Sequence, residues 1–403
     1  MIAFIEILVF AYLAGCVFYN FLFAVAGKFF PRRSAPTNIS PRYNRIAVLV
    51  PAYKEDEIIL STVASYTGVD YPRELFDVVV IADSLQDATI TALRASSAIV
   101  VPVQFDKSTK SRSLNAAFAQ LDESKYDIAI IADADNVLAA DFLLKINAAY
   151  NDGYHAIQAQ RVAKNLDTPF AILDAANEMI ANHINRKGAN ALGLSASLIG
   201  SGIAFDFKLI KQSMLEVAAI GGFDKVLQQL IVKKGYFIVY LESAIIFDEK
   251  VANAAAFENQ RRRWVSSQFV YLRQYLGEGF KALLRGKIDY FYMATAQNML
   301  LPRMLLVAGI VFMTAVYLVL GKYLYIPSLY WVIATLAYAF SLLLPLPGLF
   351  YTRYMWVVIR NLPRVIGIML AVVFKLKGAN KTFIHTAHNK TEINNPLLNV
   401  SRK

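Results

Sequence analysis

The hydrophobic pattern divides the chain into three stretches. Residues 1–27 are apolar almost without interruption, with Glu6 the one charge and no Lys or Arg before Lys28. A membrane span needs about 20 such residues, so this run predicts a transmembrane helix. It lacks the basic start and short apolar core of a secretory signal. Lys28, Arg32, Arg33 and Arg42 follow it. Basic residues collect on the cytoplasmic side, which predicts an outside N-terminus and a cytoplasmic chain from residue 28 onward.

Between residues 45 and 250, short apolar runs alternate with helical patterns. Ile46–Val50, Val78–Ala82, Ile128–Ala132 and Phe237–Leu241 suit buried parallel strands. Ser111–Leu121 and Pro169–Arg186 read as helices, the second with Thr168 as cap and Pro169 at its first position. The alternation predicts an α/β domain built on a mostly parallel sheet with helices on both faces.

Beyond the mixed stretch Phe280–Arg303, two spans are expected, Met304–Leu320 and Leu329–Tyr351. The segment Arg353–Lys377 differs from them. Its charges Arg353, Arg360, Arg364 and Lys375 are spaced 7, 4 and 11 apart and fall in one helical stripe on an apolar background. A helix lying in the cytoplasmic interface accommodates that stripe better than a further span does. The basic residues Lys377, Lys381, Lys390, Arg402 and Lys403 then remain inside. The expected organisation is a transmembrane helix at 1–27, a cytoplasmic domain at 28–280, and interfacial helices, two spans and a basic tail at 281–403.

Composition agrees with this division. Hydrophobic residues make up 57%, above the range of soluble domains, and they gather at the two ends. The net charge of +11 would suit nucleic acid if basic residues were interleaved with aromatics outside the juxtamembrane regions. They are not, so the charge is assigned to membrane lipids and no nucleic-acid partner is expected. The single cysteine, Cys16, excludes an intrachain disulfide and a cysteine metal site.

Three of the expected strands run into polar residues: Pro51-Ala52-Tyr53-Lys54-Glu55, Asp83, and Asp133-Ala134-Asp135. Ligands of open α/β sheets sit at the C-terminal ends of strands, so three such ends point to one site. An aspartate there can also simply cap a turn, and for Asp83 alone both readings stand. Asp133 and Asp135 can turn two hard oxygen donors toward one cation, Mg²⁺ or Mn²⁺, which also takes phosphate oxygens.

These motifs, in this order over about Ile46 to Trp264, resemble the family-two inverting glycosyltransferases of GT-A fold. The resemblance implies that Pro51, Ala52, Tyr53 and Glu55 hold the uracil end of a UDP-sugar and that Asp83 contacts the nucleotide. Lys110-Ser111-Arg112-Ser113-Leu114-Asn115 resembles the family's lysine-to-Ala-Leu-Asn segment, with Ser113 where Ala is usual, and implies donor contacts for Lys110 and Asn115. Asp133 and Asp135 match the metal-binding Asp-x-Asp. Gly200-Ser201-Gly202 resembles the acceptor-side turn, which assigns Ser201 and Gly202 to substrate. Gln260-Arg261-Arg262-Arg263-Trp264 is similar to the Gln-x-x-Arg-Trp pattern: Gln260 and Arg263 would approach the diphosphate, and Trp264 would stack on acceptor sugar. Three consecutive arginines cannot share one helix face, so at least one serves another purpose. Lys381-Thr382-Phe383-Ile384-His385-Thr386, with His388, resembles a Lys-Thr-x-x-His tail of bacterial members; a basic tail can also simply meet headgroups.

The spans on both sides resemble the cellulose, hyaluronan and chitin synthase branch. That branch carries Thr-Glu-Asp, whose Asp is the catalytic base. Here Gly222-Phe223-Asp224 stands in register, so the resemblance places the base at Asp224. Asp224 can alternatively be read as an acidic residue favoured at a helix N-terminus.

The expected activity is metal-dependent, inverting transfer from a nucleotide donor, a UDP-sugar, to an acceptor sugar or lipid-linked glycan in cell-surface polysaccharide synthesis. The expected location is a bacterial inner membrane. With so few spans, one chain does not enclose a polysaccharide channel, which leaves room for an export or accessory subunit. Two alternatives remain: a transferase adding a single sugar, and a non-catalytic membrane scaffold or transporter subunit. Protease, ATPase and lipase motifs are absent from the sequence.

Overall fold

The strand β1 (Ile46–Tyr53) is apolar on both faces, and Ile46 to Val50 are wholly buried. Such a strand must lie inside a sheet covered from both sides. The computed structural model describes residues 2–31, 42–217, 221–376 and 388–400. It contains seven further strands: β2 (Phe76–Asp83), β3 (Ile99–Val103), β4 (Ile128–Ile131), β5 (Val137–Leu138), β6 (Ala156–Ala163), β7 (Ile203–Asp206) and β8 (Val239–Asp248). They form one sheet of order β3-β2-β1-β4-β7-β6-β8-β5.

Helices cover both faces. The main helices are α1 (Ile2–Phe29), α2 (Ile59–Ser65), α3 (Asp87–Ala95), α4 (Lys110–Gln120), α5 (Phe142–Asn151), α6 (Pro169–Ala181), α7 (Phe207–Leu215) and α8 (Phe223–Lys233). They continue with α9 (Ala254–Leu284), α10 (Arg303–Leu320), α11 (Ser328–Leu343) and α12 (Met355–Phe374). Ala47, Leu49, Val79, Ile81 and Ile131 pack on Leu114 and Phe118 of α4 and on Leu227 and Ile231 of α8. The alternate residues Ile46, Val48, Val50, Val80 and Ile130 pack on Ile59 and Val63 of α2, Leu93 of α3, and Phe142 and Ile146 of α5. The period of two along each strand thus feeds two separate cores.

The sheet is mixed, which corrects the expectation of a mostly parallel one. β1 pairs in parallel with β2 and β4, β2 with β3, and β6 with β8. β7 runs antiparallel to both β4 and β6, and β5 antiparallel to β8. An apolar run carries no direction; direction is set by how the chain enters. β7 has four residues and follows the tight turn Gly200-Ser201-Gly202, whose glycines both adopt positive φ. At Gly202 a side chain would be strained by the positive φ and would force Ile246 aside, since a Cβ would lie 2.7 Å from its methyl group.

Thr168 caps α6 as expected, accepting from the Ala171 N–H at 3.2 Å with Pro169 at the first position. α6 runs into a π-turn, Asn182–Gly188, and α1 packs there. A Cβ on Gly188 would meet the Phe23 carbonyl oxygen at 2.1 Å, and His183 Nε2 lies 2.8 Å from the Ala24 carbonyl. Only glycine lets the two backbones approach so closely.

Three helices are long and apolar enough to cross a membrane: Ala3–Phe29, Arg303–Tyr323 and Met355–Phe374. They support an integral-membrane protein. Glu6, the lone charge of the first, is satisfied within the protein by the Tyr317 hydroxyl at 2.9 Å and the Tyr325 N–H at 2.8 Å. The stretch expected as one span, Leu329–Tyr351, is broken. α11 ends at Leu343, Pro345 and Pro347 interrupt it, and a short helix restarts at Gly348. α12 lays Val365, Met369 and Val372 on Phe170 of α6 and on Phe257 and Val265 of α9. Arg32, Arg33, Lys377, Lys381 to Thr386, Arg402 and Lys403, named above for topology or for the tail motif, lie outside the described residues.

Candidate active site

The ends of β1 and β2 lie side by side, with Tyr53 in register with Asp83 and the Lys54 N–H donating to the Asp83 carbonyl at 3.1 Å. Pro51, Ala52 and Tyr53 therefore border Asp83. The buried Asp83 carboxylate accepts from three hydroxyls: Ser84 at 3.1 Å, Ser108 at 3.1 Å and Ser113 at 3.4 Å. No described cation pairs with it. Ser113, unusual at its motif position, is one of its partners.

Further along the strand ends, Asp133, Asp135 and Asp248 bring one carboxylate oxygen each to within 4.8 Å of one another. Asp248 completes the pair expected from the sequence. The apolar run Phe237–Leu241 predicts a strand ending at Leu241, whereas β8 continues to the acidic residue at 248. Asn136 holds the group together: its amide donates to Asp135 at 3.2 Å and to Asp248 at 3.3 Å, and its carbonyl accepts from the Asp133 N–H at 3.0 Å. The Glu249 N–H donates to Asp135 at 2.7 Å. Burial and the neighbouring Asp248 raise the Asp135 carboxyl to about 6. Three clustered carboxylate oxygens are hard donors whose mutual repulsion a divalent cation would offset, and the set fits Mg²⁺ or Mn²⁺.

Asp248 is anchored from behind. Lys250 Nζ lies 2.7 Å and Arg161 3.4 Å from its carboxylate, and both cations also pair with Glu178 of α6. Burial would raise the Asp248 carboxyl, but Arg161 and Lys250 outweigh it and hold it well below the usual carboxylate range. Sequence reasoning missed this network. Its residues come from β6, α6 and the end of β8, and no spacing rule links them.

Lys110, first residue of α4, pairs with Asp133, donates to the Gly200 carbonyl at 2.7 Å and lies 5.3 Å from the Phe223 ring. A Cβ on Gly200 would sit 4.0 Å from Asp224 Cγ. Lys110 and Gly200 thus connect the acidic cluster to Asp224. The Asp224 carboxylate accepts no hydrogen bond from any described residue, although it stands in the first turn of α8. The Ser201 hydroxyl faces Arg161 at 3.4 Å, and its carbonyl accepts from Gln158 at 3.1 Å.

The tail contributes at the same mouth. His388 Nδ1 lies 3.0 Å from Glu55. Burial works against its charge, but Glu55, Asp135 and Glu249 hold the imidazole up to about 10. Lys390 and Asn394 anchor this segment on Glu249 and on the Lys164 carbonyl.

Other motif residues divide. Of the three arginines, Arg261 is the most buried: it pairs with Asp174 and lies against the rings of Phe257 and Trp264. Arg263 is held below the ordinary guanidinium value by burial. The Gln260 side-chain oxygen is buried without a hydrogen-bond partner. Trp264 is 43% exposed. Asn115 is not brought to the site's other residues; its amide donates to the Met214 carbonyl at 3.1 Å and links α4 to α7.

The mixed α/β sheet gathers carboxylates at its strand ends, and comparison with known proteins gives the family and the GT-A fold. A profile of the family described as Glycosyltransferase like family 2 matches residues 41–267, more than half of the 403 residues, and the chain belongs to that family. The probable glycosyltransferase YdaM of Bacillus subtilis (strain 168) is 26% identical over 278 residues, covering 62% of this chain and 61% of that relative's own length. The mannosyltransferase PcManGT of Pyrobaculum calidifontis, solved with GDP-Man and Mn²⁺, shares the fold with a TM-score of 0.57 at 16% identity, covering 93% of this chain and 99% of that one.

Proposed function

We propose that the chain is a membrane-embedded, metal-dependent, inverting glycosyltransferase that moves a sugar from a nucleoside-diphosphate donor to an acceptor hydroxyl. The observation carrying this reading is the carboxylate trio Asp133, Asp135 and Asp248 joined through Lys110 and Gly200 to Asp224, whose carboxylate accepts no hydrogen bond from a described residue. A cation held by that trio supplies positive charge to the leaving diphosphate. Lys110 and Arg263 add further charge there. Asp224 takes the proton of the acceptor hydroxyl as its oxygen attacks the anomeric carbon. The carbon–oxygen bond to the diphosphate breaks on the opposite face, so one displacement inverts the centre.

Asp83, with Pro51 to Tyr53 and Glu55, receives the nucleoside, read as uridine. Trp264 offers a partly exposed flat face to an acceptor sugar. The resemblance to the cellulose, hyaluronan and chitin synthase branch favours cell-surface glycan synthesis at a bacterial inner membrane. In the layout proposed, residues 28–280 are cytoplasmic and α12 lies along the interface, with Lys375 paired to Glu258 of α9 at 2.7 Å. The Pyrobaculum mannosyltransferase holds GDP-Man and Mn²⁺, a donor class and a cation that the acidic cluster here would also suit. Incubating purified protein in nanodiscs with UDP- and GDP-sugars and identifying products by mass spectrometry tests the reading. Release of one nucleotide with sugar transferred supports it; no turnover of any donor with Mn²⁺ or Mg²⁺ rejects it.

A further inference from the structure

Asp248 shares its two cations with an acid that stands outside the cluster. Glu178 of α6 is buried, and Arg161 turns the fork of its guanidinium onto it. Arg161 Nη2 lies 3.1 Å from Glu178, and Nε lies 3.2 and 3.4 Å from its two carboxylate oxygens. Lys250 pairs with Glu178 as well. Asp248 meets the same cations through one oxygen: Oδ2 lies 3.4 Å from Arg161 Nη2 and 2.7 Å from Lys250 Nζ. Its other oxygen, Oδ1, accepts from the Asn136 amide at 3.3 Å, and that amide also donates to Asp135 at 3.2 Å. The carboxylate is thus divided. Oδ2 faces the cations, and Oδ1 shares a donor with the cluster.

Two buried cations beside a candidate metal ligand oppose metal binding. Each attracts the ligand's negative charge and repels an incoming divalent ion. Glu178 supplies a second carboxylate, so the four groups are neutral as a set. The charge of Asp133 and Asp135 then remains for the ion. A guanidinium fork matches a carboxylate in two-bonded geometry, and here that geometry goes to Glu178, which is not one of the three clustered acids. Neither of the nearby acids replaces it: Asp174, one turn earlier on α6, pairs with Arg261, and Asp133 pairs with Lys110. Among the described residues, Glu178 is the one acid besides Asp248 that pairs with Arg161 or Lys250.

We propose that Glu178 is a positioning residue for the cation site, drawing Arg161 and Lys250 away from Asp248 so that this carboxylate can ligate a divalent ion. The inference deepens the reading above and rests on the Asp133, Asp135 and Asp248 cluster as a cation site. Glu178 itself touches neither the ion nor the sugar donor. It acts through charge, and so its loss and the loss of Lys250 have opposite signs.

The test is calorimetry of Mn²⁺ alone on the full chain in nanodiscs, with a thermal melt of each preparation. Glu178→Gln should weaken Mn²⁺ about 10–100-fold, the usual loss when a partner of a metal ligand is removed. Lys250→Gln should bind Mn²⁺ more tightly than the natural protein, because one repelling charge is gone. The double variant Glu178→Gln with Lys250→Gln leaves Arg161 opposite Asp248 alone and should recover most of the lost affinity. The double variant removes a buried pair as a unit, which folded proteins commonly tolerate, so it carries the test even where Glu178→Gln does not fold. In that case it should bind Mn²⁺ close to the natural value. A purely structural network predicts otherwise: both single variants weaken Mn²⁺ along with the melting temperature, and the double variant weakens it further. That pattern, or natural Mn²⁺ affinity in a folded Glu178→Gln protein, overturns the inference and leaves the cation site standing. A natural protein that binds no Mn²⁺ overturns the cation site, and this inference with it.

Discussion

Asp83 and Asp248 both close strands of the sheet, yet their surroundings are opposite in kind. Asp83 ends β2 in the all-parallel half of the sheet and is ringed by the hydroxyls of Ser84, Ser108 and Ser113. Asp248 ends β8 in the mixed half, with Arg161, Lys250 and a second carboxylate, Asp135, around it. The first environment offers neutral hydrogen bonds, which suit a base or a ribose. The second gathers buried charge, which suits a cation and phosphates. One residue type thus stands in two kinds of surroundings, and its partners make the difference. The boundary between the halves runs where β4 meets β7, and the turn preceding β7 carries Gly200 beside Asp224.

The largest effect is expected at that boundary. Asp224→Asn should lower turnover about 10²–10⁴-fold, the usual loss for a general base, with nucleotide affinity retained. Unchanged turnover in a folded protein would remove the base assignment. Next comes the charged half. Asp248→Asn takes one ligand from the cation and leaves Arg161 and Lys250 with Glu178 alone. Breaking such buried pairs typically costs about 3–5 kcal/mol, so both Mn²⁺ affinity and melting temperature should fall. Calorimetry of Mn²⁺ binding beside a thermal melt checks both, and normal Mn²⁺ affinity would mean that Asp248 is only structural.

Asp83→Asn probes the neutral half. It should raise donor KM roughly tenfold, as one charged hydrogen-bond acceptor is lost, and leave the Mn²⁺ dependence where it was. A shifted metal requirement would break the contrast between the two halves. The smallest effect is expected for Trp264→Ala. The indole is partly exposed and rests on Arg261 at 4.3 Å, so acceptor KM should rise a few-fold, as aromatic contacts contribute about 0.5–1.5 kcal/mol. Donor KM should not change; if it does, Trp264 serves the nucleotide.

The contrast also explains what the sequence could reveal. β1, α4 and the Thr168 cap were legible because apolar period and capping chemistry are local. Asp133 and Asp135 were legible because two acids two residues apart at a strand end make a short-range pattern. Asp248 was not: β8 continues past Glu242 and Ser243, polar residues that seemed to end it. β7 was not legible at all, because its four residues, Ile203 to Asp206, form too short a run to stand out and say nothing of neighbouring strands. The burial of Arg261 was equally hidden, since its partner Asp174 lies 87 residues away. The buried network behind Asp248 depends on three distant segments meeting, and only the fold brings them together.

Cation dependence tests the central claim most directly. Nucleotide release from the donor that the purified full chain uses best should be followed in EDTA, after Mn²⁺ is restored, and in an Asp135→Asn protein under the same conditions. Release should stop in EDTA, return with Mn²⁺ and stay low in Asp135→Asn. Equal release in EDTA, or full Mn²⁺-dependent recovery in Asp135→Asn, would contradict a transfer reaction built on the Asp133, Asp135 and Asp248 cluster.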